Sequence, residues 1–312
     1  MQGISFPNLG IDINPGYKLD IGPLSIHYYG IVIALGLLLA AVYGLRRRKE
    51  FGLSQDDILD GALIIVPIAI ICARAYYCIF AWDEYKADPI SVLYIWNGGL
   101  AIYGGVIGAA LSIIVYCKVK KISLFAALDI TSLGFLIGQS IGRWGNFFNR
   151  EAFGCYTDGL FAMRISQHQL HVPKDASPHF LQQVALLKEK AAAGGYAGFI
   201  QVHPTFLYES IWNLVGFILL HFLSKRRKYD GQIALGYVAW YGLGRAIIEG
   251  LRMDSLGSGD FRVSQVLAAV SCVIAVGILL WQSFRPHNEK DLFANRVLAK
   301  QAEAENTEES DS

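Results

Sequence analysis

The sequence predicts an all-α integral membrane protein of about seven transmembrane helices, with its N-terminus outside and its C-terminus in the cytosol. Three observations predict it. Apolar residues come in long blocks, charge is scarce, and Lys and Arg gather on alternate links. The 312 residues are 54% hydrophobic and 17% charged, where a soluble domain averages about 25% charged. Apolar blocks about 18 or more residues long, with few charges, read as membrane spans. Net charge is only +1, so no global field points to nucleic acid as a partner.

The spans fall roughly at 26–45, 58–81, 99–117, 123–142, 204–223, 232–251 and 263–284. Orientation follows from the basic residues. Arg46, Arg47, Arg48 and Lys49 follow the first span, and Lys118, Lys120 and Lys121 follow the third. Lys225, Arg226, Arg227 and Lys228 follow the fifth, and Arg285 and Lys290 follow the last. All these clusters land on one side only with seven spans and the N-terminus out. Tyr28, Tyr29, Trp82, Tyr94, Trp96 and Trp144 suit an outer interfacial belt.

The expected organisation is one polytopic membrane domain, residues 1–290. An extracytoplasmic insertion over roughly 143–203 separates spans four and five. Its middle, Ser177 to Ala193, has the composition of a short helix on the membrane surface. The acidic cytosolic tail, 291–312, reads as a frayed helix or a disordered end. The N-terminus lacks a basic stretch before an apolar core, so no cleavable signal peptide is expected. Five cysteines in these positions predict no disulfide framework.

An ionisable side chain inside hydrocarbon costs on the order of 3 kcal/mol or more, so each needs a reason. Arg74, Arg143, Glu209, Arg245 and Glu249 all fall in or at the ends of spans. At a rise of about 1.5 Å per residue they lie within about 12 Å of the outer surface. Asp129 alone lies near the cytosolic end. A through-channel needs polar steps at every depth. A site that draws its substrates from the outer side needs only this one-sided set.

On the sixth span Tyr237, Tyr241, Arg245 and Glu249 recur every four residues, so they share a face. Arg245 and Glu249 could simply neutralise one another. Three arginines against two glutamates, however, leave a positive excess that calls for an anion. A lipid phosphate is the anion most available there, and the planar Arg fork suits it. Gly134, Gly138 and Gly142 form a small-residue ridge leading into Arg143.

The segment from Gly142 to Gly154, GRWGNFFNREAFG, closely resembles the signature of the prolipoprotein diacylglyceryl transferases. Other motifs are similar in the same order. They are His27-Tyr28-Tyr29-Gly30, Gly98 to Gly105 (GGLAIYGG), His203-Pro204-Thr205 with Leu207-Tyr208-Glu209, and the set Tyr241, Arg245, Glu249 and Arg252. The resemblance covers most of residues 26–284.

The resemblance implies transfer of the diacylglyceryl group of phosphatidylglycerol to the lipobox cysteine thiol of a prolipoprotein signal peptide. Glycerol 1-phosphate is released, in the first step of bacterial lipoprotein maturation. It implies no metal and no soluble cofactor, and a place in the bacterial inner membrane among membrane lipid. Arg143 and Arg245 are the expected phosphate contacts. Tyr29, Asn146 and Tyr241 are expected at the headgroup or orienting the arginines. Glu151 and Glu249 would hold arginines or serve as base, and Gly154 closes the lipid-binding set. Many members carry His where this chain has Tyr103. The base here is therefore Tyr103 as phenolate, another group, or no side chain at that position. A small-anion transporter is the rival reading. It predicts paired interrupted helices and internal symmetry, and neither is visible in the sequence.

Overall fold

The computed structural model describes residues 3–22, 24–170, 172, 178–253, 257–258 and 261–310. The helices are α1 (Tyr28–Arg47), α2 (Gln55–Phe80), the single turn α3 (Trp82–Tyr85), α4 (Ile102–Lys120), α5 (Leu124–Asn149), α6 (Pro178–Ala193), α7 (Thr205–Ser224), α8 (Gln232–Ile248), α9 (Val263–Ser283) and α10 (Phe293–Ser310). Six of them are long and apolar enough to cross a membrane, by length and composition. They correspond to α1, α2, α4, α5, α7 and α9. At the remaining expected span lies α8, whose 17 residues make it about 25 Å long at 1.5 Å per residue.

Contacts group the chain into two compact units. One comprises Met1–Ala40, Ser132–Arg227 and Gln232–Pro286. The other comprises Ala41–Thr131, Lys228–Gly231 and His287–Ser312.

In the first unit the glycine ridge on α5 packs against α1. A Cβ on Gly36 would meet the Gly138 backbone at 3.3 Å, and one on Gly142 would meet Ile33 at 3.2 Å. Small residues bring the two backbones close enough for dispersion contact along the whole turn. The structure adds a small sheet outside the spans, which the sequence reading did not include. Strands β1 (Ile4–Phe6), β2 (Ile11–Ile13), β5 (Met163–Ser166) and β6 (Phe199–Val202) form it in the order β2-β1-β5-β6, all antiparallel. The hairpin of β3 (Lys18–Ile21) and β4 (Leu24–His27) leads into α1.

Ile4, Phe6, Met163, Ile165, Ile200 and Val202 are buried in the sheet, with Val184 and Leu187 of α6 packed against them. The helix expected over Ser177–Ala193 is thus α6, which covers the sheet. Ser177 itself lies outside the described residues. Strands of three or four residues carry too little alternation to be seen in sequence.

In the second unit α4 packs on α2 through Gly104 and Gly108. A Cβ on Gly108 would sit 2.8 Å from the Cys72 sulfur. Asp129 is fully buried and accepts a hydrogen bond from the Gly231 amide at 2.9 Å. This hydrogen bond ties the start of α5 to the turn before α8. The acidic tail is helical over Phe293–Ser310, with Ala294 buried. Its first turn is anchored by the Asp230 carboxylate, which accepts from the Phe293 amide at 2.9 Å.

Candidate active site

Four ionisable side chains expected in the outer half of the spans converge in the first unit. Arg143 on α5 pairs with Glu209 on α7 at 2.7 Å. Arg245 on α8 lies 3.6 Å from the same Glu209 oxygen and pairs with Glu249 at 2.7 Å. Arg252, just beyond α8, approaches the other Glu209 oxygen at 3.6 Å. Glu209 is 7% exposed and Glu249 3%, whereas Arg143 and Arg245 keep 21%. Among the described residues three guanidiniums therefore face two carboxylates, and Arg143 and Arg245 rather than the glutamates remain accessible.

Two reciprocal locks hold the helices that carry these groups. The Ser140 hydroxyl donates to the Ser210 carbonyl at 2.9 Å, and the Ser210 hydroxyl donates back to the Ser140 carbonyl at 2.8 Å. That pairing ties α5 to α7 within one turn of Arg143 and Glu209. Trp212 and Trp240 tie α7 to α8 in the same way. Each indole N–H donates to the other's carbonyl, at 3.0 and 2.9 Å, and the rings stack at 4.4 Å. Gly216 and Gly244 leave the space the indoles occupy. Polar groups that satisfy each other inside apolar helices fix register, because sliding would strand them unpaired.

The signature loop is held as firmly. Arg150 and Ala152 both adopt left-handed backbone, φ +53° and +54°, a conformation costing about 1 kcal/mol or more for a residue with a Cβ. Between them stands Glu151, whose Oε1 accepts from Asn146 at 2.9 Å and Asn149 at 3.3 Å. The expectation that Glu151 holds an arginine is therefore replaced: two amides hold it. Glu249 does hold Arg245, and it also accepts from Ser264 at 2.8 Å. Arg150 is 3% exposed and pinned to the Pro15 carbonyl at 2.8 Å, with its guanidinium 4.1 Å over Tyr17.

Gly154 bridges to Arg252, and its amide donates to the His203 carbonyl at 2.9 Å. A Cβ there would stand 2.6 Å from the Leu251 carbonyl and 2.7 Å from His203 Cβ. Only glycine lets the loop close on the end of α8. His203 lies 3.2 Å from the Tyr208 hydroxyl, and burial pulls its pKa below the usual histidine range.

The aromatic candidates surround this cluster. Tyr29 packs on Gly145, where a Cβ would come within 2.7 Å of its ring, and it lies in the electrostatic reach of Glu151 and Arg143. Tyr241 stacks on Tyr237 at 5.7 Å, and Tyr237 accepts from Gln139 at 2.9 Å.

Two candidates belong to the second unit. Tyr103 is 53% exposed. Arg74, counted from sequence among the excess cations, is 6% exposed and gives its nitrogens to four backbone carbonyls. These are Val92 and Ser91 at 2.8 Å, Gly98 at 2.7 Å and Gly99 at 3.0 Å. It is a loop anchor, and Arg252 takes its place in the count. The sequence places Glu209 in the outer polar set but assigns it no role. Its signal was present, as a lone carboxylate in a span, but only geometry shows it as the group three arginines share.

A family model described as prolipoprotein diacylglyceryl transferase matches residues 17–281. Relatives named phosphatidylglycerol–prolipoprotein diacylglyceryl transferase include one from Listeria monocytogenes, 38% identical over 285 residues, covering 90% of this chain and 96% of the relative. One from Bacillus licheniformis is 40% identical over 274 residues, with 88% and 94% covered. One from Limosilactobacillus reuteri is 41% identical over 277 residues, with 86% and 94% covered. The match takes in every element that carries the arginine cluster and its locks, and the chain belongs to the prolipoprotein diacylglyceryl transferase family.

Proposed function

We propose that the protein transfers the diacylglyceryl group of phosphatidylglycerol to the cysteine thiol of a prolipoprotein signal peptide, at an active site facing the extracytoplasmic side. With α8 counted as a seventh span, all the basic links fall on one side, which supports a cytosolic face for them and an N-terminus outside. The observation that carries the reading is the nearly buried Glu209 carboxylate shared by three guanidiniums, two of which, those of Arg143 and Arg245, stay accessible.

The chemistry follows from what bonds must change. The thiol loses its proton, because the thiolate is the nucleophile and a free Cys titrates near 8.5. The thiolate attacks the glycerol carbon bearing the phosphate ester oxygen. The S–C bond forms, the C–O bond breaks, and glycerol 1-phosphate departs with the electron pair. Negative charge grows on the departing phosphate. Arg143 and Arg245, on separate helices and both accessible, clamp it with fixed donors that need no reorganisation. Glu209 and Glu249 act as positioning residues that aim these two arginines, with Arg252 completing the field. Tyr29, Asn146 and Tyr241 contact the headgroup. Glu151, held by Asn146 and Asn149 on a strained loop, stands ready to accept a hydrogen bond from a substrate hydroxyl or to take the thiol proton, and Gly154 keeps that loop closed. Tyr103 serves as a hydrogen-bond donor to the substrate or as the base.

The test is a mass-spectrometric lipidation assay. Purified protein receives phosphatidylglycerol and a peptide with a lipobox cysteine, with Arg143→Ala in parallel. A diacylglyceryl mass gain on that cysteine, absent in the variant, supports the proposal. Absence of gain from folded wild-type protein, or equal gain in the variant, overturns it.

A further inference from the structure

In the second unit a concave cavity of about 340 Å³ opens where the end of α4 and the start of α5 meet α10. Three cations line it. Lys121 comes from the α4–α5 turn, and Arg296 and Lys300 lie four residues apart on one face of α10. Among the described residues, no acidic side chain lines it. Among the described residues, none of the three cations is ion-paired. Phe293, Val297 and Ile122 supply an apolar wall.

The cavity depends on a docked helix. Gly52 has φ +73°, and a Cβ there would meet the Ala294 backbone at 2.8 and 2.9 Å. With the Phe293–Asp230 hydrogen bond, this close approach seats the first turn of α10. Lys121 itself takes left-handed backbone, φ +58°, where glycine would be unstrained. The turn thus carries a cation at some conformational cost. Charge along α10 is segregated: Arg296 and Lys300 precede Glu303, Glu305, Glu308 and Glu309. The basic half lines the cavity.

We propose that this cavity binds the phosphate of an anionic phospholipid headgroup, at a site separate from the arginine cluster and independent of the transferase reading. Three cations around a concavity, without ion pairs among the described residues and with Arg296 5.8 Å over the Phe293 ring, supply charge for a phosphate diester, and the apolar wall supplies contact for the glycerol and first methylenes. A free phosphate offers the same charge but leaves that wall unused.

The experiment is hydrogen–deuterium exchange of the full chain in lipid nanodiscs, read at the amides of residues 293–300. The discs contain phosphatidylcholine alone, phosphatidylcholine with phosphatidylserine, or phosphatidylcholine with inorganic phosphate in the buffer. Phosphatidylserine is expected to slow exchange about fivefold. The double variant Arg296→Gln/Lys300→Gln should lose that slowing. Lys118→Gln/Lys290→Gln, which removes two cations outside the cavity, should keep it. Gly52→Val, which unseats α10, should abolish it while leaving α2 protected. Slowing by inorganic phosphate without slowing by phosphatidylserine overturns the lipid assignment. No slowing in either arm, or equal loss in both double variants, overturns the site.

Discussion

Arg74 and Arg143 each place a guanidinium in an apolar helix, near the end expected to face outward. Their partners differ. Arg74 spends its donors on four backbone carbonyls and is 6% exposed. Arg143 shares one carboxylate with Arg245 and Arg252 and stays 21% exposed. Backbone carbonyls of one loop, each taking a donor, commit that arginine to structure. A carboxylate divided among three arginines leaves donors over, and those donors can turn to a ligand. In this chain the identity of the partner, more than the burial of the arginine, separates a staple from a catalytic candidate.

The largest expected effect comes from the shared cluster. Arg143→Ala and Arg245→Ala should each lower lipidation about a hundredfold or more while the protein inserts normally. Arg→Lys at either position should recover only a small part, since a point charge cannot reproduce the bidentate fork. Near-normal turnover in either alanine variant would remove that arginine from the phosphate role. Glu209→Gln should lower turnover by about tenfold to a hundredfold, with a rise in KM for phosphatidylglycerol smaller than the fall in kcat. A change confined to KM would make Glu209 part of binding rather than of positioning.

Gly154→Ala should cost about 1–3 kcal/mol of thermal stability by forcing the signature loop off the Leu251 carbonyl, and turnover should fall with it. If melting is unchanged but turnover drops, the loop has moved without unfolding.

Arg74→Ala reads out the other side of the comparison. Removing the Arg74 donors from four carbonyls, of which, among the described residues, Ser91 alone keeps a second donor in the Tyr94 amide, should destabilise the protein by about 2–4 kcal/mol, seen as a lowered melting temperature. Lipidation per folded molecule should stay within about threefold of wild type. A fall comparable to that of Arg143→Ala would return Arg74 to the site. The smallest effect is expected at Tyr103. Its hydroxyl has no hydrogen-bond partner among the described residues. Tyr103→Phe should therefore cost about tenfold or less, the loss of one donor, whereas a loss of about a hundredfold to ten-thousandfold would identify it as the base.

Much of this was legible before any coordinates. The apolar blocks mark the helices because hydrocarbon tolerates no unsatisfied backbone, which makes a span long and uninterrupted. Six of the expected spans are helices of sufficient length, and α8 stands at the seventh place. The glycine ridge on α5 does meet α1. The signature from Gly142 to Gly154 was readable as a unit because its chemistry is contiguous. The small sheet was not readable, since its strands are short and its pairings join Ile4–Phe6 to segments about 160 residues away. Glu151 held by asparagines and Arg74 held by carbonyls were equally hidden.

The sequence by itself determined the class of the molecule, its apolar helices, its family signature and the supply of charged groups inside them. Those follow from local composition and short spacing, where cost is set by the solvent each residue must enter. Only the tertiary structure decided which charges meet. Arg143, Glu209 and Arg245 come from three helices, and the Ser140–Ser210 and Trp212–Trp240 locks set their register. Partner choice among distant groups depends on helix rotation and depth, to within a fraction of a turn, and hydrophobic pattern alone does not fix either so finely.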